Sequence, residues 1–152
     1  GSETVWGANV YAASGGAQKI RAAGFYAVDA GTEYEISVVT DVPEQPTDAD
    51  WQRLKRKKSG TVSGKLQYAG YYTIPLSEPV EVPDGGRFAV LVELHTPGAV
   101  HPMAIEYDSE DGRSLVDITD GEGYLSADGD VWERVETEQE CNLCLKAYSV
   151  LK

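Results

Sequence analysis

Two stretches alternate with a period of two residues, and that alternation limits the fold more than anything else in the chain. Tyr34, Ile36 and Val38 fall on one side of an extended segment and Glu33, Glu35 and Ser37 on the other. Phe88, Val90, Val92 and Leu94 likewise alternate with Arg87, Ala89, Leu91 and Glu93. Successive side chains of a strand point to opposite faces, so this pattern belongs to a sheet with at least one face buried. The same pattern recurs near 4–13, 19–28, 33–41, 61–68, 71–76, 87–95, 102–108, 114–118, 123–127, 131–136 and 142–150. The breaks are turn-forming clusters such as "PDGG" at 83–86 and "ADGD" at 127–130. About ten short strands at this spacing predict an all-β protein, a β-sandwich of jelly-roll type. From this alternation Ile36, Val38, Phe88, Val90, Val92 and Ile105 are expected between two sheets.

One segment breaks the pattern. Asp48 to Lys58 has Thr47 or Asp48 as a helix cap and places Trp51 and Leu54 three apart, a helical spacing, although it reads equally as an unstructured loop. It also carries Arg53, Lys55, Arg56, Lys57 and Lys58, five of the 13 basic residues, in a chain with 25 acidic residues and a net charge of −12. An acidic body repels nucleic acid and anionic membranes, so neither is an expected partner. The basic run is a solvated loop or a docking patch for an acidic partner. No apolar stretch reaches the roughly 18 residues that span a bilayer. The start Gly1-Ser2-Glu3, without an initiator Met, reads as a cloning scar on an excised segment of a longer secreted protein. At 152 residues without internal repeats, residues 1–152 are expected to form one domain, and a monomer.

Catalytic chemistry finds little to work with. His95 and His101 are the two histidines, neither lies in a nucleophile–base signature, and both are expected in surface or loop packing. Cys141 and Cys144 share a Cys-x-x-Cys spacing, but "ECNLCLKAYSV" alternates like a strand, whose residues three apart face opposite sides. One core thiol and one strand-entry thiol are expected, with a local disulfide only if the chain turns at Asn142 and Leu143. Asp108, Asp111, Asp117, Asp120, Glu122, Asp128 and Asp130 crowd successive turns. Asp-Gly is a common turn dipeptide, so plain hairpin turns account for them; the alternative is a structural calcium held by the hard oxygens of Asp117, Asp120, Glu122 and Asp128.

Aromatic residues carry the remaining functional signal, because sugars commonly stack on exposed rings beside a few polar groups. Trp51, in the polar run "TDADWQRLKRKK", is the tryptophan expected to be exposed; it serves either in ligand or partner contact or as a local cover over the sandwich. "YAGYY" sets Tyr68, Tyr71 and Tyr72 around a glycine, and Trp6 and Trp132 fit core positions. The candidate ligand-binding residues are therefore Trp51, Tyr71, Tyr72, Lys55 and Arg56.

The segments "GAQKIRAAGFYAVDAGTEYEISVVTDV" (16–42), "AGYYTIPLSEPVEVPDGGRFAVLVEL" (69–94), "GYLSADGDVWERV" (123–135) and "CNLCLKAYS" (141–149) resemble the lectin-like domain that lies downstream of papain-like cysteine peptidases in secreted proteins of anaerobic and gut bacteria. Gly24-Phe25-Tyr26, "GYYTI" and Ser126 with Asp128-Gly129 and Trp132 are its most specific parts. They recur there as structural signatures, so no binding site is carried over. Residues 44–59, with Trp51 and the basic run, depart from that pattern. The resemblance implies a non-catalytic accessory module, secreted or on the bacterial cell surface, with peptidase chemistry elsewhere in the parent polypeptide. Its expected partner is a glycan or host glycoprotein. The alternatives are adhesion to a host protein such as an immunoglobulin, or a spacer.

Overall fold

A computed structural model describes residues 4–13, 16–27, 30–95, 105–107, 122–126, 128–134, 141–143 and 145–151. In chain order these form β1 (Thr4–Ala12), β2 (Gln18–Ala27), β3 (Glu33–Thr40), α1 (Asp48–Lys55), β4 (Ser59–Lys65), β5 (Gly70–Val82), β6 (Arg87–His95), β7 (Ile105–Tyr107), β8 (Glu122–Ser126), β9 (Glu133–Arg134), β10 (Cys141–Leu143) and β11 (Leu145–Leu151). A six-stranded sheet runs β4-β3-β6-β1-β8-β9, a three-stranded sheet runs β11-β2-β5, and β10 pairs with β7.

The two larger sheets enclose the main core, which makes the molecule an all-β sandwich. Ile36, Val38, Phe88, Val90, Val92 and Leu94 from the six-stranded sheet meet Ile20, Ala23, Phe25, Val80 and Val82 from the other. The expected burial of Ile36, Val38, Phe88, Val90 and Val92 is therefore observed; the side chain of Ile105 lies outside the described residues. β6 is hydrogen-bonded between β3 and β1 and is buried on both faces, because Ala89 and Leu91 enter a second core on the outer side. β5 extends beyond the expected end at 76 to Val82. Its Pro75 and Pro79 lack an N–H, and they are tolerated because β5 is the outer strand of its sheet.

The helical alternative for 48–58 is the one realised. Thr47 Oγ1 accepts from the Asp50 backbone N–H at 3.2 Å, and the Asp50 carboxylate accepts from the Thr47 N–H at 2.9 Å, which closes a capping box. An eight-residue helix is marginal alone, so α1 depends on what it packs against. Trp51 and Leu54, one turn apart, point onto the outer face of the six-stranded sheet and join Ala8, Val10, Val39, Val42, Ala89, Leu91 and Tyr124 in the second core. Of the two readings of Trp51 the cover over the sandwich is the one observed, and the exposure expected from its polar flanks is corrected, since its relative exposure is 0%. The outer sheet face under α1 is itself apolar, and an amphipathic helix covers it with whichever large side chain it carries. The Trp51 ring stacks on Trp132 at 5.0 Å and tilts against Tyr124 at 5.3 Å.

The turn that follows β8 locks the helix down. The Trp132 N–H donates to the Asp48 carboxylate at 2.9 Å and its indole N–H to the Gly129 carbonyl at 3.1 Å, while the Lys55 ammonium donates to the same carbonyl. Gly129 has φ +80°, and a Cβ there would sit 2.9 Å from Trp6 Nε1 and 3.0 Å from Lys55 Nζ, so a side chain has neither the backbone nor the room. As expected, Trp6 and Trp132 pack against this core, each partly buried.

Replacing Trp51 with Ala is expected to cost about 3–5 kcal/mol and Val90 with Ala about 1–3 kcal/mol, from lost burial and the cavity left behind. Urea unfolding measures both. A Trp51→Ala loss below about 1 kcal/mol would mean that the ring does not hold the helix.

Candidate functional site

The second core covers only part of the outer sheet face. Beyond it, the strand register sets two polar rows across four strands. Lys65 of β4 faces Glu33 of β3, which faces His95 of β6, which faces Thr4 of β1. In the neighbouring row Ser63 faces Glu35, Glu35 faces Glu93, and Glu93 faces Trp6. On the same face the next row is Ser37, Leu91, Ala8 and Tyr124, where the apolar part begins. Lined by these polar groups, by Tyr34 and by Gly64, the open end forms a cleft of about 700 Å³.

Side chains opposite one another on neighbouring strands have Cβ atoms roughly 4.5–5.5 Å apart, so each row is a continuous strip. Thr4 Oγ1 and His95 Nδ1 are hydrogen-bonded at 2.7 Å. Gly64 and Tyr34, paired between the two rows, turn to the other face of the sheet, where Tyr34 packs toward the sandwich core and a Cβ on Gly64 would lie 2.6 Å from its hydroxyl. The apolar side of the cleft is bounded by Trp6 with Lys55 and Lys58, whose ammonium groups lie 4.9 and 5.8 Å from a ring centroid of the indole. Lys58 pairs with Glu35 at 3.0 Å, and Lys55 lies 3.7 Å from Asp130. Partial burial, reinforced by the Glu35 carboxylate, holds the Glu93 carboxyl above its ordinary range; Lys58, Lys55 and His95 oppose that shift.

The five expected ligand residues are not brought together. Trp51 is sealed in the second core, Lys55 is engaged with the 128–132 turn, and Arg56 projects into solvent past the helix end. Tyr71 and Tyr72 lie on β5 of the opposite sheet. Tyr71 is 42% exposed and Tyr68 72%, whereas the half-buried Tyr72 packs on Phe25 and donates its hydroxyl to the Tyr68 carbonyl at 2.7 Å. Of the four calcium candidates, Asp117 and Asp120 lie outside the described residues, as does the side chain of Glu122. The Asp128 carboxylate accepts from the backbone N–H groups of Val131 and Asp130 and from the Ser126 hydroxyl, in that order of effect, and these bonds hold its carboxyl below the ordinary range. His101, Cys144 and the Cys141 side chain also lie outside the described residues. The cleft residues were overlooked because each looks like the solvent side of an ordinary strand; only the register aligns them.

The chain matches the lectin like domain family over residues 1–149 and belongs to that family. No curated protein matches it. Among solved structures it is similar to the cysteine protease and lectin-like domains of Cwp84, a surface layer associated protein of Clostridium difficile. The identity is 22% and the TM-score 0.65, over 99% of this chain and 33% of that one. It is also similar to the clostridial cysteine protease Cwp84 after propeptide cleavage, at 19% identity and TM-score 0.65, over 99% of this chain and 37% of that one. The chain thus spans about a third of the length of those proteins.

A carboxyl whose folded titration point is raised stabilises the fold below its unfolded value, 4.5 for Glu, and loses that contribution as pH rises through the folded value. Glu93→Gln is therefore expected to stabilise the protein at neutral pH by less than about 1 kcal/mol, solvent screening being substantial at a half-buried site. The gain should fade on acidification to pH 4. Thermal unfolding against pH measures it, and a destabilised variant at neutral pH would contradict the geometry.

Proposed function

We propose that this domain is the non-catalytic recognition module of a secreted or surface-attached cysteine peptidase, and that it binds a glycan in the polar cleft of the six-stranded sheet. The observation that carries the placement is the division of one sheet face into an apolar part sealed by α1 and a polar part left open. Membership of the lectin like family supports sugar recognition, and the arrangement of Cwp84, with protease and lectin-like domains in one chain, supports the accessory role. Hydroxyl-rich ligands suit such a surface. Glu33, Glu35 and Glu93 accept from sugar hydroxyls, Lys65 donates to ring or hydroxyl oxygens, and Ser63, Thr4 and His95 serve in either sense.

A glycan array with the isolated domain, followed by calorimetry on the best binder, tests this. Ser63→Trp, at an exposed position on the outer strand β4, fills the cleft without touching either core and is expected to weaken binding about tenfold or more, or about 1.4 kcal/mol. The double change Tyr68→Ala and Tyr71→Ala is expected to leave affinity unchanged within about twofold. The reverse pattern would move the site to the tyrosines of β5. Binding to a host protein such as an immunoglobulin, with no sugar bound at all, would replace the glycan reading.

A further inference from the structure

Glu93 is set apart from the other acids of the cleft. Glu35 beside it is neutralised by Lys58, and Lys55 is drawn away to the Gly129 carbonyl and Asp130. Half-buried on the cleft floor, Glu93 has no hydrogen bond or ion pair among the described residues. The groups around it are Glu33 and Glu35 from β3, His95 from its own strand, Lys65 from β4, and Lys55 and Lys58 from α1 and the residues just after it. Burial and the Glu35 carboxylate disfavour the charged form of Glu93 more than the nearby Lys58, Lys55 and His95 favour it, and a ligand that brings a cation into direct contact relieves that penalty.

Resting on the glycan reading above, we infer that the cleft selects sugars that carry a free amine, with the Glu93 carboxylate receiving the protonated ammonium. An ammonium has three donors, which lets one group bond Glu93 and reach Glu33 or a hydroxyl across the rows. An N-acetylated sugar offers one amide N–H and no charge, and its acyl group needs room on the same floor. A carboxylated sugar is disfavoured, since it sets a further anion against Glu33, Glu35 and Glu93, while Lys58 is paired with Glu35 and Lys55 with the Gly129 carbonyl and Asp130.

The test is calorimetry of the 152-residue chain with two hexosamine oligomers of equal length, one fully N-acetylated and one with free amines, near neutral pH and low salt. The amine form is expected to bind about tenfold more tightly or better, the size of one charge-assisted hydrogen bond. Glu93→Gln should remove that preference while leaving weak binding of both forms. On the parent chain, the preference should also shrink as pH falls through the raised titration range of Glu93, which checks the assignment without any substitution. Equal or tighter binding of the N-acetylated form overturns the amine selectivity and leaves the glycan reading standing. A preference that survives Glu93→Gln overturns the role of Glu93. Binding of no sugar, across the array as well as these two oligomers, overturns the glycan reading and this inference with it.

Discussion

The seating of Trp51 on the outer face of the six-stranded sheet is the contact on which the rest of the architecture depends. β6 is apolar on both faces, so the sandwich core alone leaves Ala89 and Leu91, with Ala8, Val10 and Val39 beside them, in need of cover. One short helix provides it. Because α1 has only two large apolar residues to offer, Trp51 and Leu54, it covers a limited area, and the polar rows beyond remain open. The size of the helix therefore sets the boundary of the cleft, and Trp6, with Lys55 and Lys58 over its ring, forms the border between the two regions.

That boundary places unlike charges in unlike roles. The basic run of 53–58 looks like one patch in the sequence, yet the fold divides it. Arg53 lies 3.6 Å from Asp50 along the helix, Lys55 and Lys58 turn inward to the 128–132 turn and to Glu35, and Arg56 and Lys57 project into solvent. Two of the five charges thus serve to fasten the helix and to neutralise one acid of a facing pair. Glu93, the other acid, is left with a raised titration point.

Fold class was legible in the chain because period-two alternation needs no tertiary information. Phe88, Val90, Val92, Ile36 and Val38 were placed in the sandwich core from spacing alone, and that is where they are. The environment of Trp51 was legible only as one of two readings, a cover over the sandwich beside an exposed contact residue. Its flanks are polar, and nothing local shows that a second apolar sheet face lies in wait for it, since the residues of that face come from β1, β3, β6 and β8. The cleft was hidden for a related reason. Glu33 and Glu35, Ser63 and Lys65, and Glu93 and His95 each look like the wet side of a strand, and only the pairings Lys65 to Glu33, Glu33 to His95 and Glu35 to Glu93 turn them into one surface. Capping at Thr47 and Asp50 could be read locally, which is why a helix was among the alternatives for that segment.

The central claim is that α1 divides the outer sheet face and that ligand binds on the part it leaves open. Amide chemical-shift mapping during titration of the domain with a glycan that binds it tests this most directly. The account predicts the largest shifts at Glu33, Glu35, Ser63, Gly64, Lys65, Glu93 and His95, with Trp51 and Leu54 little moved. Shifts concentrated at Tyr68, Tyr71 and the rest of β5, with the two polar rows silent, would contradict it.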